Sequence, residues 1–197
     1  MPIDTALTVL VFTFVTSATP GPNTLMVMAS GVNFGFRRSV PHMLGVVIGF
    51  CLLLLCIGFG LGALLTLWPP LHLTLKIIGG CYLLYLAWRI ATVGTLSAVK
   101  SNPEPMRLVA AMLFQWVNPK AWMMGVTAMA LYTIPSEPYA SVILITALFG
   151  LVGLPSVALW AGFGSVLRGW LDDPGRLRWF NRVMGLVLAL TIVPMIR

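Results

Sequence analysis

A chain of 197 residues that is 59% hydrophobic and only 9% charged is not composed like a soluble domain, in which about 25% of residues are charged. With a mean hydropathy of +0.97 it reads as an integral membrane protein, with almost no sequence left for a fused receptor, kinase or nucleic-acid-binding module. The net charge of +7 does not point to nucleic acid, because the basic residues sit in short loops between apolar runs, where they orient helices.

The first apolar run has no basic segment before it. It is too long and too broken for a signal peptide, so a retained first helix is expected over 5–34. Its centre reads Pro20-Gly21-Pro22-Asn23. Each proline lacks an N–H and clashes with the preceding turn, so the helix must break there. Broken backbone at bilayer depth is tolerated only where protein buries it or where it lines a polar cavity. In transporters such breaks commonly form the substrate site; the bland alternative is a proline kink.

After the basic turn Gly35-Phe36-Arg37-Arg38, a second helix is expected over 40–67. Pro41 would occupy its first turn, and Gly45 and Gly49 would give a small face for close helix contact. Trp68-Pro69-Pro70 reads as a turn at the interface. A third helix follows over 71–93, with Lys76 and Arg89 near its ends, where long side chains reach the headgroups. A fourth helix over 106–132 is interrupted at Asn118-Pro119-Lys120, just after Gln115. A turn over 133–138, a fifth helix over 139–167 containing Pro155, a charged loop over 168–178 and a sixth helix over 180–195 complete the reading.

The expected fold is therefore all-α, a single transmembrane domain of six spans. Residues 1–94 form a first three-helix repeat, 95–105 a linker and 106–197 a second repeat. Each repeat opens with a broken helix. An odd number of spans per repeat inverts the second relative to the first, the plan of many secondary transporters. Arg37, Arg38, Arg89, Lys100, Arg107, Arg168, Arg176, Arg178 and Arg182 gather in or beside alternate loops, which puts both termini on the periplasmic side.

These residues resemble the LysE/RhtB family of bacterial amino-acid exporters. The resemblance rests on Thr19-Pro20-Gly21-Pro22-Asn23, the Gly35 to Arg38 turn and the glycines of the second helix. It continues through Tyr82-Leu83-Leu84-Tyr85-Leu86-Ala87-Trp88 and Phe114-Gln115-Trp116-Val117-Asn118-Pro119-Lys120, and so covers essentially the whole chain. It implies a multi-pass inner-membrane exporter of small amino acids or derivatives, driven by a gradient, proton most simply, and forming a homodimer. The cysteine, O-acetylserine, homoserine and threonine exporters are the nearest branch in length. No cofactor and no metal are implied.

For an amino-acid zwitterion in a dry site, each charged end needs a compensating group. The helix restarting after Pro22 presents N–H groups and a positive dipole end to a carboxylate. Carbonyls freed by the prolines accept from an ammonium. The candidate substrate site is therefore Pro20, Gly21, Pro22, Asn23, Gln115, Asn118, Pro119 and Lys120, the two breaks facing each other across a central cavity. Lys120, a charge at bilayer depth, is a functional hypothesis by default. It can pair the substrate carboxylate, act as a titrating group, or simply cap carbonyls at the fourth-helix break.

The remaining candidates read more plainly. His42, beside Arg37 and Arg38, is expected at the interface, as is His72; Tyr82, Tyr85 and Trp88 read as an aromatic belt. An enzyme would need clustered His and acidic residues or a nucleophile with its base, and neither stands at mid-depth. A transmembrane thiol-electron carrier would want a reactive cysteine beside each break, whereas Cys51, Cys56 and Cys81 all fall in the first half. A passive channel remains a third alternative, without a visible filter-like loop.

Overall fold

The structure is a computed structural model and describes residues 3–61, 69–92 and 104–193. The side chains of His72 and Lys76, the turn expected at Trp68, most of the 95–105 linker and the last residues of the sixth helix fall outside the description. Among the described residues the fold is all-helical: α1 Ile3–Ala18, α2 Pro22–Phe34, α3 Phe36–Cys56, α4 Pro69–Thr92, α5 Leu108–Phe114, α6 Pro119–Tyr132, α7 Pro138–Trp170 and α8 Pro174–Leu190. A π turn, Ile57–Leu61, prolongs α3, and a 3₁₀ turn, Gln115–Val117, follows α5.

Both expected breaks are real. Residues before a proline are pushed out of helical geometry, so α1 stops at Ala18 and α2 starts with Pro22 in its first position, where a missing N–H costs nothing. The second break repeats this device. Asn118 leaves the helix with φ −88° and ψ 110°, and Pro119 opens α6.

Two corners differ from expectation. The polar stretch 35–38 was expected to be a turn before a helix over 40–67, but Gly35 alone makes the corner. Its φ of 82° lies in the left-handed region that glycine enters without strain. Hence α3 begins at Phe36, and Pro41 lies inside it rather than in its first turn. The charged stretch 168–178 was likewise expected to be a loop. Instead α7 runs to Trp170 and α8 starts at Pro174, with the Asp173 carboxylate accepting from the Arg176 N–H at 2.8 Å. An Asp cap followed by proline is a strong start signal, and it outweighs the charge.

The segments Phe36–Leu61 and Pro138–Trp170 are long and apolar enough to cross a bilayer, with mean hydropathies of 2.7 and 2.4. Only 33% of each apolar window is buried within the chain, whereas the core helix of a soluble protein is mostly covered. Apolar area alone gives such helices little reason to associate, since lipid is as apolar as leucine; small residues that let backbones approach supply the contact. A Cβ on Gly31 would stand 2.2 Å from the Ala161 carbonyl oxygen, and one on Gly164 2.2 Å from that of Met28. The α2 and α7 backbones therefore touch at two reciprocal points. Gly45 and Gly49 meet α5 in the same way, at the Leu108 oxygen and Met112.

Packing follows from these contacts. Both α1 and α2 lie on α7, α5 and α6 lie on α3, α3 meets α7, and α4 pairs with α8. An apolar cluster of Leu53, Leu54, Ile57, Ala121, Met129 and Phe149, with their neighbours, joins α3, α6 and α7.

Gly31→Leu and Gly164→Leu should each destabilise the fold by at least the ~1–3 kcal/mol of an overpacked core, read as a lowered melting temperature in detergent. Gly80→Leu, where a Cβ meets nothing within 4 Å, should melt like the parent chain.

Candidate functional site

The two breaks come together. Asn23, one residue into α2, donates from Nδ2 to Gln115 Oε1 at 2.8 Å, and Gln115 Nε2 donates back to Asn23 Oδ1 at 3.1 Å. The same Gln115 amide also donates to the Ala111 carbonyl at 2.9 Å, and its residue is fully buried. Lys120, at the same position of α6 that Asn23 holds in α2, reaches across to the other break. Its Nζ donates to the Thr19 carbonyl oxygen at 2.6 Å.

That carbonyl is free because α1 has ended. Lys120 does cap a broken helix, then, but the one in the opposite half of the chain. An ammonium has three donors, and Thr19 takes one of them. The remainder of the group lines a cavity of about 60 Å³ shared with Gly21, Asn23, Thr24 and Asn118. At about 10–15 Å³ per water position, this is space for a few waters or a few heavy atoms of a small solute.

Local structure keeps the backbone of each break in order. Thr24 Oγ1 accepts from the Gly21 N–H at 2.8 Å and lies 2.9 Å from the Gly21 oxygen, to which it donates. Asn118 Oδ1 accepts from the Lys120 N–H at 3.2 Å, a cap on α6. Gly21 has φ −173°, extended backbone open to any residue, so its dihedral does not demand glycine. Space does: an added Cβ would lie 2.7 Å from Lys120 Cδ and 3.1 Å from Nζ. The first turns of α2 and α6 both open on this cavity, which gives it two positive helix ends besides the lysine.

Of the residues the sequence singled out, Gly21, Asn23, Asn118 and Lys120 line the cavity, and Gln115 holds Asn23 from behind. Pro22 and Pro119 set the two helix starts, while Pro20 is exposed at the edge. Sequence reasoning missed Thr16, Ser17, Thr24, Phe50 and Phe149, which also line the cavity. Phe50 and Phe149 pack edge to face at 5.3 Å. The spacing of Thr24 three residues after the Gly21 cap position was a readable signal. Two phenylalanines in apolar helices gave none. No cysteine lines the cavity. Among the described residues no cluster of metal-ligating side chains occurs.

The pattern of a LysE type translocator matches residues 14–195. The chain belongs to the LysE type translocator family. Curated relatives include the cysteine/O-acetylserine efflux proteins of Salmonella typhi and of Escherichia coli (strain K12). Each is 30% identical over 184 residues, covering 92% of this chain and 90% of the relative. No solved structure matches the chain. As a LysE type translocator it is a membrane transport protein and not an enzyme.

Asn23→Leu leaves the buried Gln115 Oε1 without its donor, and an unpaired buried acceptor costs about 1–3 kcal/mol. The double variant Asn23→Leu/Gln115→Leu removes both partners and should be less destabilised than the single one. A double-mutant cycle on thermal unfolding in detergent reads the difference.

Proposed function

We propose that the chain is a secondary active exporter of small amino acids or their derivatives, of the cysteine and O-acetylserine class. It would work across the bacterial inner membrane as a multi-pass protein. One observation carries the reading: two proline-broken helices from opposite halves of the chain meet at one polar cavity, each restart aimed into it. The names of the efflux relatives support the substrate class.

In this reading Pro20, Gly21, Pro22, Asn23, Gln115, Asn118, Pro119 and Lys120 form the substrate site. The resting contact between Lys120 Nζ and the Thr19 oxygen is a donor and an acceptor held for exchange. An entering zwitterion takes one partner with each end: its carboxylate pairs Lys120 and the first-turn N–H groups, and its ammonium donates to the freed Thr19 carbonyl. Interhelical side-chain hydrogen bonds in membranes average about 0.6 kcal/mol and reach about 1.7. The Asn23–Gln115 pair is thus weak enough to open when substrate offers the same bonds.

The packing supports the inverted-repeat plan. Each broken helix rests on the second helix of the other half, α1 and α2 on α7, α5 and α6 on α3, while α3–α7 and α4–α8 pair with their own counterparts. Exchange of the repeats 1–94 and 106–197 about a two-fold axis maps these contacts onto themselves. With the basic loops inside, both termini are periplasmic. We take the driving force to be the proton gradient and the assembly to be a homodimer.

Inside-out membrane vesicles with an imposed proton gradient test the proposal directly. Labelled cysteine or O-acetylserine should accumulate only while the gradient lasts. Lys120→Ala and Asn23→Ala should each cut the rate by about 10–100-fold, the worth of a charge-assisted hydrogen bond of ~1.5–3 kcal/mol, while reaching the membrane in normal amounts. Wild-type rates in both variants would remove the site assignment, and equilibration without accumulation would make the protein a channel.

A further inference from the structure

A second and larger cavity, of about 580 Å³, lies further along the same helices. On α2 the lining passes from Asn23 and Thr24 at the break cavity to Ser30 and Asn33 here. On α3 it passes from Phe50 and Val46 to His42. Buried Val27, Met43 and Ala111 pack in one apolar cluster with Val46 and Val157, which line the break cavity. The second cavity opens towards the basic end of the helices, with Arg89, Glu104 and Arg107 at its rim. Glu104 and Arg107 are paired at 3.3 Å, and their side chains are 59% and 84% exposed.

His42 sits in the wall of this cavity with 2% of its surface exposed. The sequence alone puts it at an interface beside Arg37 and Arg38; because α3 starts at Phe36, position 42 falls nearly two turns into the helix and on its inner face, covered by protein. Neither ring nitrogen has a hydrogen-bond partner among the described residues. Buried polar groups nearly always have one, and an exception calls for a reason. The other polar groups nearby are more fully engaged. Ser39 donates to the Gly35 carbonyl at 2.9 Å, so in the 2.8 Å contact between the two serines Ser30 is the donor, which leaves the Ser30 oxygen able to accept. Asn33 Nδ2 donates to the Ala29 and Asn181 oxygens, and its own oxygen accepts from Asn181 Nδ2. His42 therefore brings an unused donor and an unused acceptor to this wall, which Tyr82 also lines.

We propose that this cavity is a second binding site for the zwitterion, a loading chamber on the basic-loop face, which the function proposed above makes the cytoplasmic one. Arg89 and Arg107 collect the carboxylate at the rim, where the positive excess over Glu104 favours that end. The His42 imidazole and the Ser30 oxygen engage the polar groups of the substrate in the wall. The substrate is held here before the Asn23–Gln115 pair opens and Lys120 receives it.

The site is tested without relying on transport. In a Cys51→Ser/Cys56→Ser/Cys81→Ser background, Ala110→Cys places a thiol in the cavity wall. A charged, membrane-impermeant thiol reagent should label it in inside-out vesicles and not in right-side-out ones. O-acetylserine at about ten times its dissociation constant should slow labelling about tenfold, by mass action. The slowing should vanish with His42→Phe, return with His42→Gln and survive Lys120→Ala. Absence of labelling, labelling indifferent to O-acetylserine, or equal protection with His42→Phe would overturn the proposal. So would protection lost with Lys120→Ala, since the effect would then originate at the break cavity. Protection without transport would remove the export reading and leave this site; transport without protection would remove this site alone.

Discussion

Everything in this molecule depends on one constraint: a helix broken inside a bilayer leaves backbone groups that no water is there to satisfy. Two such breaks occur here, each closed partly by its own local caps and partly by the other break. The carbonyl left open when α1 ends is met by Lys120 of the second break, and Asn23 after the first break is met by Gln115 before the second. The polar cavity exists because the breaks have to face each other.

The constraint also sets the energetic character of the centre. The aliphatic and glycine contacts that hold the helices are steric and unforgiving, with backbone atoms at the limit of approach. The polar contacts at the centre are few and individually worth little in a membrane. A rigid frame around weak, exchangeable bonds can surrender those bonds to a ligand without losing its fold.

Much of this was legible in the residues. Proline and asparagine punctuate helices by their own covalent structure, so the breaks at Pro20–Asn23 and Asn118–Lys120 could be read without a fold. A lysine inside an apolar run announces itself, because a charge in such a setting is costly. The misread corners share a cause: charge was taken as a sign of loop, while a positive-φ glycine at 35 and an Asp-Pro start at 173–174 carried the helices through charged sequence. The same reading hid the burial of His42, which depends on the helical phase set at Phe36. Phe50 and Phe149 were invisible for a different reason. Their role depends on which helix faces which, and apolar residues look alike until the packing is known.

The reciprocal approach of Gly31 and Gly164 has a mechanical corollary. Where two backbones interlock at two points, neither helix can slide by a fraction of a turn; the next register lies a full turn away, about 5.4 Å. α2 and α7 should therefore travel as one welded strut. Any rocking of this pair would fall on the joints that flank α2, the non-helical residues Thr19 to Gly21 and the left-handed corner at Gly35.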